Sequence, residues 1–417
     1  MQILFLAHRL PYPPDKGEKI RSFWELRTLA EHHDVDLFCF YDDSQDRLHI
    51  RDLRPYCRSC YAEPISALAS RVRALSALVQ RKPFSSAFFF SRTMAKRIAE
   101  AVQSISYDLI FVFSSSMAQY AEPWANVPAI LDLVDVDSDK WIQYAEHTRG
   151  FRSWLWKHEG HRLAADEARL VNRFRNTLVC TTAEARLLRS NAPKGEISVL
   201  QNWLDTEYYR PEAVLVSSEI AALQPYVVFT GSMDYLPNID AVQFFCRKVL
   251  PALSSQVPGL RFVIAGRNPT AEVKRLGTLP GTHVTGTVPD VRPYLGAASA
   301  AVAPMRIARG VQNKILEALA MGLPVVASSM AASALPQELA NLLLVADQPD
   351  VIVDQLLRCL RNSREARAIR RESVASYVAS EDLADQLEGF LQSAVAQTRN
   401  VPCGGADLCR ELVSELQ

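Results

Sequence analysis

The stretch RGVQNKILEALAMGLPVVAS, Arg309 to Ser328, decides how this chain folds. Residues Asn313 to Met321 carry helical spacing, Gly322 and Pro324 stop the helix, and Pro324 to Ala327 form a short apolar strand. Helix, glycine–proline stop and buried strand together make one step of a parallel βαβ unit. Ahead of the helix, Gly310, Val311, Gln312 and Asn313 form a turn in which Gln312 or Asn313 is placed to cap the first turn. That turn offers backbone N–H groups and the positive end of a helix dipole. Such a place suits a diphosphate, and Arg309 and Lys314 add full charges. Glu317 lies three residues after Lys314 on the same face. It has two readings: a carboxylate that accepts both hydroxyls of a ribose, or a partner of Lys314 on a solvated helix.

The same alternation runs outward in both directions. In the first half, Ile3–Ala7, Val35–Phe40, Leu109–Phe113, Ala129–Val134 and Thr177–Cys180 read as strands, with helical spacing in Ile20–His32. A second series has strands at Val227–Thr230, Phe262–Ala265, Ala300–Ala303, Pro324–Ala327 and Leu342–Val345, and a helix over Asp240–Leu253. Asp205 to Gln224 has no clear strand and the composition of a connection. The expected architecture is α/β, with two Rossmann-like, doubly wound parallel-sheet domains facing across a cleft. The expected boundaries are 1–210, 211–380, and 381–417 for a C-terminal helix and tail. Ligands of such sheets bind beyond the carboxyl ends of the strands, so the cleft is the expected site.

Bulk properties agree with a chain of two cores. A chain of 417 residues exceeds the roughly 250–300 at which one core stops growing. Lys plus Arg equals Asp plus Glu at 46 each, which removes global charge as a reason to expect nucleic acid. No apolar run reaches the roughly 18–20 residues that a spanning helix requires. The apolar start, Met1 to Ala7, reads as a strand rather than a leader, and the expected location is cytoplasmic. Cys57 and Cys60 are spaced C-x-x-C, but no second pair stands at zinc-ribbon distance.

In the first half, Gly17 follows the first strand in a proline-rich loop, where it either lines the cleft or simply turns the chain. Asp132, Asp135, Asp137 and Asp139 crowd one strand end. Crowding is expected to raise at least one carboxyl pKa, leaving Asp135 or Asp137 to contact acceptor or sugar as a base. The alternative is a helix N-cap by Ser138 or Asp137. Asp135-Val-Asp137 also fits a metal pattern literally, and strand-end solvation is the reading preferred over a metal. Between Asp46 and Glu100, eleven Lys or Arg face four Asp or Glu, interleaved with Phe84 and Phe88 to Phe90. Residues 46–100, with Arg71, Arg73, Arg81 and Lys82, suit either an anionic membrane face or an amphipathic helix packed on the domain.

The segment from Lys314 onward, Glu317-Ala-x-Ala-x-Gly-x-Pro-Val-Val, resembles the nucleotide-sugar signature of the retaining GT-B glycosyltransferases of family 4. Asn202-Trp-Leu-Asp205 with Tyr209, Phe229-Thr-Gly-Ser232, Val263-Ile-Ala-Gly-Arg267 and Val284 to Asp290 resemble further elements of that family. His8 to Lys19 and Asp132 to Trp141 are similar to the sugar transferases of PEP-CTERM exopolysaccharide systems. The resemblance implies transfer of a sugar from a nucleoside-diphosphate donor, with retention, to a polysaccharide or lipid-linked precursor at the inner face of the membrane. It implies no metal and no other cofactor. Two departures stand out. The family's first glutamate, eight residues before Glu317, is Arg309 here, and the Arg and Lys that many relatives carry after Gly231 are replaced from Ser232 onward. Arg267, Arg306, Arg309 and Lys314 are the available cations for the diphosphate. A dehydrogenase is disfavoured by three prolines where G-x-G-x-x-G should stand. A GT-B sugar-nucleotide epimerase and a non-catalytic sugar-binding scaffold are the alternative readings.

Overall fold

The apolar runs of the sequence are the inner strands of two parallel sheets in a computed structural model. It describes residues 1–399 apart from 15–16, 44, 67–69, 71–72, 74–82, 175 and 362–366. The first sheet has seven strands: β1 (Gln2–Ala7), β2 (Asp34–Tyr41), β3 (Ser59–Pro64), β4 (Leu109–Phe113), β5 (Ala129–Val134), β6 (Asn176–Val179) and β7 (Ile197–Val199). Their order is β3-β2-β1-β4-β5-β6-β7. The second has six: β8 (Tyr226–Thr230), β9 (Arg261–Ala265), β10 (Thr282–Gly286), β11 (Ala300–Ala303), β12 (Val325–Ala327) and β13 (Leu344–Val345). These run in the order β10-β9-β8-β11-β12-β13.

Each sheet reverses its winding beside its first strand, between β1 and β4 in one and between β8 and β11 in the other. That point is where open α/β sheets leave a crevice at their carboxyl ends. Both faces of the first sheet are buried. Leu4, Leu6, Ile110, Val112 and Leu131 face one side, and Ile3, Phe5, Phe111, Phe113 and Ile130 the other. Double burial is why these strands read as continuous apolar runs rather than as alternation.

The helices used below are α1 (Gly17–His32), α2 (Arg92–Ser104), α3 (Asp137–Glu146), α4 (Phe151–Arg173), α5 (Thr182–Asn191), α6 (Leu236–Phe244), α7 (Asn313–Ala320), α8 (Pro349–Arg361), α9 (Arg367–Tyr377) and α10 (Ser380–Arg399). The chain divides into two units, Met1–Trp203 together with the segment from Ser380, and Leu204–Ala379. The connection therefore begins seven residues before the expected position. The segment expected to stand apart after 380 is helix α10, whose Leu383, Leu387, Leu391 and Ala394 complete the core beside Phe111, Leu178 and Trp203. Glu388 on α10 lies 2.8 Å from His33 Nε2. The apolar face of α10 matches a gap in the first unit's core, which draws the chain back to it.

Candidate functional site

In the second unit, the sequence-selected residues Gly231, Ser232, Arg267, Gln312, Lys314 and Glu317 gather around the loop after β8. Gly231 directly follows β8, and its amide donates to Ala265 O at 3.2 Å, so the loops after β8 and β9 run against each other. The approach is close enough that a Cβ on Gly266 would stand 1.8 Å from Gly231 O, which excludes any other residue there. Arg267 Nε donates to Ser232 Oγ at 3.2 Å, and Met233 N donates to Arg267 O at 2.8 Å. Asn238, 4% exposed in the first turn of α6, joins these loops to α7. Its Nδ2 donates to Ser232 O at 2.9 Å, and its Oδ1 accepts from Lys314 Nζ at 3.1 Å. The sequence offered no motif for Asn238; only its place after Pro237 at a helix start hinted at a packed polar role.

Lys314 also donates to Gln312 Oε1 at 3.3 Å and stands 5.2 Å from the centre of the Phe229 ring on β8. Burial lowers its ammonium to about 8, partly offset by Glu317. Burial raises the Glu317 carboxyl, while Lys314 and a hydrogen bond from the Tyr209 hydroxyl work the other way. Tyr209 is the second residue that had no assigned role. Lys314 and Glu317 thus form a charged pair at the start of α7, set among polar partners rather than on an open helix face.

The remaining cations are placed differently. Arg306 Nε donates to Asp240 Oδ2 at 2.9 Å, and its second nitrogen is also bound there, so a carboxylate on α6 already neutralises it. Gly310 adopts φ 59° and turns the loop into α7, with Val311 buried behind it. Gln312 occupies the N-cap position without capping through its side chain. Its Nε2 turns back to Arg309 O at 3.0 Å. Asn313 opens the helix itself, so neither expected residue caps through an N-cap side chain.

In the first unit, the acidic cluster separates by burial. Asp132 is fully buried and binds Arg21 Nε at 2.6 Å. Its other oxygen accepts from Val134 N at 2.8 Å. That contact sits at a bulge between β5 and β6, where Val134 takes φ 67°, a strained value for a β-branched residue. The bulge turns Asp135 out of the strand, and Cys180 Sγ donates to it at 2.9 Å. Asp135 is raised chiefly by burial, and repulsion from Asp137 is a lesser cause. Asp137 pairs with Lys140, and Asp139 accepts from Gln143 Nε2 at 2.7 Å.

The helix cap expected from Ser138 or Asp137 is not made. Val136 stands at the N-cap position, and its N–H donates to Glu184 at 2.6 Å. Ser138 gives both its N–H and its hydroxyl to Glu167 on α4, whose carboxyl burial raises to about 8. Long-range acids replace local capping because the start of α3 is covered by α4 and α5. Gly17 opens α1 and is exposed.

The first unit also holds a cavity of about 620 Å³ that the sequence did not reveal. Phe40, Phe88, Phe89 and Phe90 form its apolar wall, and Glu63, Arg92 and Gln119 its polar groups. Phe89 packs edge-on to His8 at 5.3 Å, and His8 stacks on Phe113 at the end of β4. Burial lowers His8 to about 4, so it is neutral. Of the proposed basic segment, Arg71, Arg81 and Lys82 lie outside the described residues. Among the described residues no helix is long and apolar enough to cross a membrane, and no three metal-binding side chains are gathered for a metal ion.

Residues 224–362 match the family model for glycosyl transferases group 1. No curated protein matches the chain. Among solved structures, Anabaena HepE in complex with UDP is similar at 15% identity and a TM-score of 0.65, over 94% of this chain and 100% of that one. Sucrose-phosphate synthase from Thermosynechococcus elongatus is similar at 16% identity and a TM-score of 0.67, over 95% of this chain and 100% of its own. An E. coli trehalose-6-phosphate structure bound with UDP-2-fluoro glucose is similar at 12% identity and a TM-score of 0.64, over 97% of this chain and 100% of that one. Likeness at this identity speaks to fold: two parallel-sheet α/β units, consistent with a GT-B fold. The part of the second unit from β8 through α8 is thus similar to the glycosyl transferases group 1 family, in a chain of GT-B fold.

Proposed function

We propose that the chain is a retaining glycosyltransferase that moves a sugar from a nucleoside-diphosphate sugar to a polysaccharide or lipid-linked oligosaccharide precursor in exopolysaccharide synthesis. The observation that carries this reading is the Lys314–Glu317 pair at the start of α7, tied through Asn238 to the Gly231–Ser232 loop. Lys314 supplies a cation for the diphosphate, and the first-turn N–H groups of α7 supply donors. Glu317, held by Tyr209, takes the ribose hydroxyls.

The chemical demand supports the same reading. As the bond between the sugar and the diphosphate breaks, the departing group gains negative charge, and fixed cations and N–H groups stabilise it without reorganising. On this reading Lys314, Arg267 and Arg309 do what a divalent metal does elsewhere, so no metal is needed. The acceptor oxygen forms the new bond to the sugar, and its proton requires a base. Asp135, whose burial raises its proton affinity, is the carboxylate that the first unit offers. The cavity beside Phe89 is large enough for a sugar of the acceptor and combines aromatic faces with Glu63 and Arg92. Structures similar in fold hold UDP or a UDP-sugar, which supports a uridine diphosphate sugar as the first donor to try.

The test is binding and slow hydrolysis across a panel of nucleoside-diphosphate sugars without metal, for the intact chain, Lys314→Ala and Glu317→Gln. The expected result is micromolar binding of one donor, weakened in both variants. For Glu317→Gln the loss should vanish when the donor carries a 2′-deoxyribose. Binding of no donor, or equal binding by intact chain and variants, overturns the assignment. Isomerised donor without any acceptor present points to an epimerase instead.

A further inference from the structure

The hairpin of α3 and α4 ends in an aromatic and basic tip. Phe151 is 72% exposed and Trp154 55% exposed. Their rings stack on each other at 5.6 Å, and Trp154 stacks in turn on His158 at 5.3 Å and 8°. Arg149, Arg152 and Lys157 are exposed around them, and no acid occurs from His147 to His158. The flanking Glu146 lies on α3, and Glu159 is fully buried with its carboxylate accepting from Phe84 N at 2.7 Å.

The tip is rigidly built from below. Trp141, Tyr144 and Trp156 pack together with ring centres 5.6–6.4 Å apart, and Ser153 Oγ donates to Ala145 O at 2.7 Å. The chain turns at Gly150, φ 73°, where a Cβ would meet nothing within 4 Å. Phe151 and Trp154 are thus held outward by a packed base while their own rings face solvent. An aromatic pair left exposed on a fixed scaffold marks an interaction surface rather than a core residue out of place.

We propose that this tip docks the protein on a bilayer face that carries anionic headgroups. Charge complementarity selects the occupant, since three cations without an intervening acid ring two aromatic side chains of the kind that settle at the lipid–water boundary. The contact is interfacial rather than spanning, consistent with its small apolar area and the absence of a spanning helix among the described residues. Helix α3 has ten residues, so Asp137 at its other end would stand about 15 Å along the helix from the tip.

The test is sedimentation of the full chain with phosphatidylcholine vesicles, with and without phosphatidylglycerol. The intact chain should bind the phosphatidylglycerol vesicles, and less so at high salt. Binding should fall roughly fivefold for each of Arg149, Arg152 and Lys157 changed to Gln. Phe151→Ser with Trp154→Ser should abolish it while the melting temperature holds, because both side chains are exposed. Trp154→Phe should still bind but lose the quenching of tryptophan emission by brominated lipid. Three outcomes overturn the proposal: no sedimentation of the intact chain, equal sedimentation of the double Ser variant, or quenching that survives in Trp154→Phe. Association of the intact chain into dimers that the double Ser variant breaks, without vesicle binding, assigns the tip to a second copy instead.

Discussion

Lys314→Met should make the protein more stable and weaken its hold on the donor. Burial lowers the ammonium from 10.5 to about 8, so keeping it charged at pH 7 costs the folded chain roughly 3 kcal/mol. The side chain is partly exposed, and screening reduces that to about 2 kcal/mol. Methionine keeps an apolar stem against the Phe229 ring and removes the charge. Asn238 Oδ1 then loses the donor at 3.1 Å, a loss of about 1 kcal/mol. The net gain is about 1 kcal/mol, which for a unit of this size raises the melting temperature by ~2–4 °C. Donor binding moves the other way. A charge-assisted hydrogen bond to diphosphate is worth about 1.5–3 kcal/mol, so affinity falls roughly 10- to 150-fold. Calorimetric titration with the nucleoside diphosphate and thermal melting of the apo chain read the two effects separately. A variant that melts lower and binds as tightly as the intact chain refutes the reasoning, because Lys314 would then be a structural cation.

Affinity for the diphosphate should be full below pH 7 and fall up to tenfold per pH unit above about 8, where the Lys314 charge is lost; the profile of Lys314→Met should be flat. Stability follows the opposite sign: between about 8 and 10.5 the unfolded chain retains a proton the folded one has released, so this group favours folding as pH rises through that window. Arg21→Met strips the buried Asp132 of its 2.6 Å partner and should cost about 3–5 kcal/mol in urea unfolding, and a loss under about 1 kcal/mol would show that Asp132 is satisfied by Val134 alone. Gly266→Ala must push the loops after β8 and β9 apart and should weaken donor binding roughly ten- to a hundredfold, which unchanged titrations would disprove.

What the sequence made legible follows from where hydrophobic signal is strong. The strands read correctly, β1, β2, β4, β5, β6, β8, β9, β11, β12 and β13, are mostly central and doubly buried. Those its apolar runs passed over, β3, β7 and β10, all lie at sheet edges, although the resemblance at Val284 to Asp290 touches the end of β10. There Ser59–Pro64 and Thr282–Gly286 are only partly covered, and Ile197–Val199 is three residues long, so no continuous apolar run announces them. Helix α10 was seen as a helix, but its return to the first unit depends on a core vacancy that composition does not display. The same limit governs the site. Lys314, Glu317, Gly231 and Ser232 announce themselves because a glycine turn and a helix start impose local spacing, whereas Asn238 and Tyr209 act through contacts that cross many residues of chain.

The acidic strand end shows what that difference means physically. Four aspartates within eight residues look equivalent on paper, yet the pleat sends Asp132 into the core, where Arg21 from 111 residues away neutralises it. Its second oxygen then holds Val134 at a positive φ, and that strained bulge aims Asp135 outward beside Cys180. A buried ion pair of this kind is weak evidence for stability. Its effect here is positional: it fixes the backbone that presents the one aspartate whose pKa burial raises. Burial, set by the fold, rather than charge repulsion, visible in the sequence, is the larger cause of the raised Asp135 carboxyl.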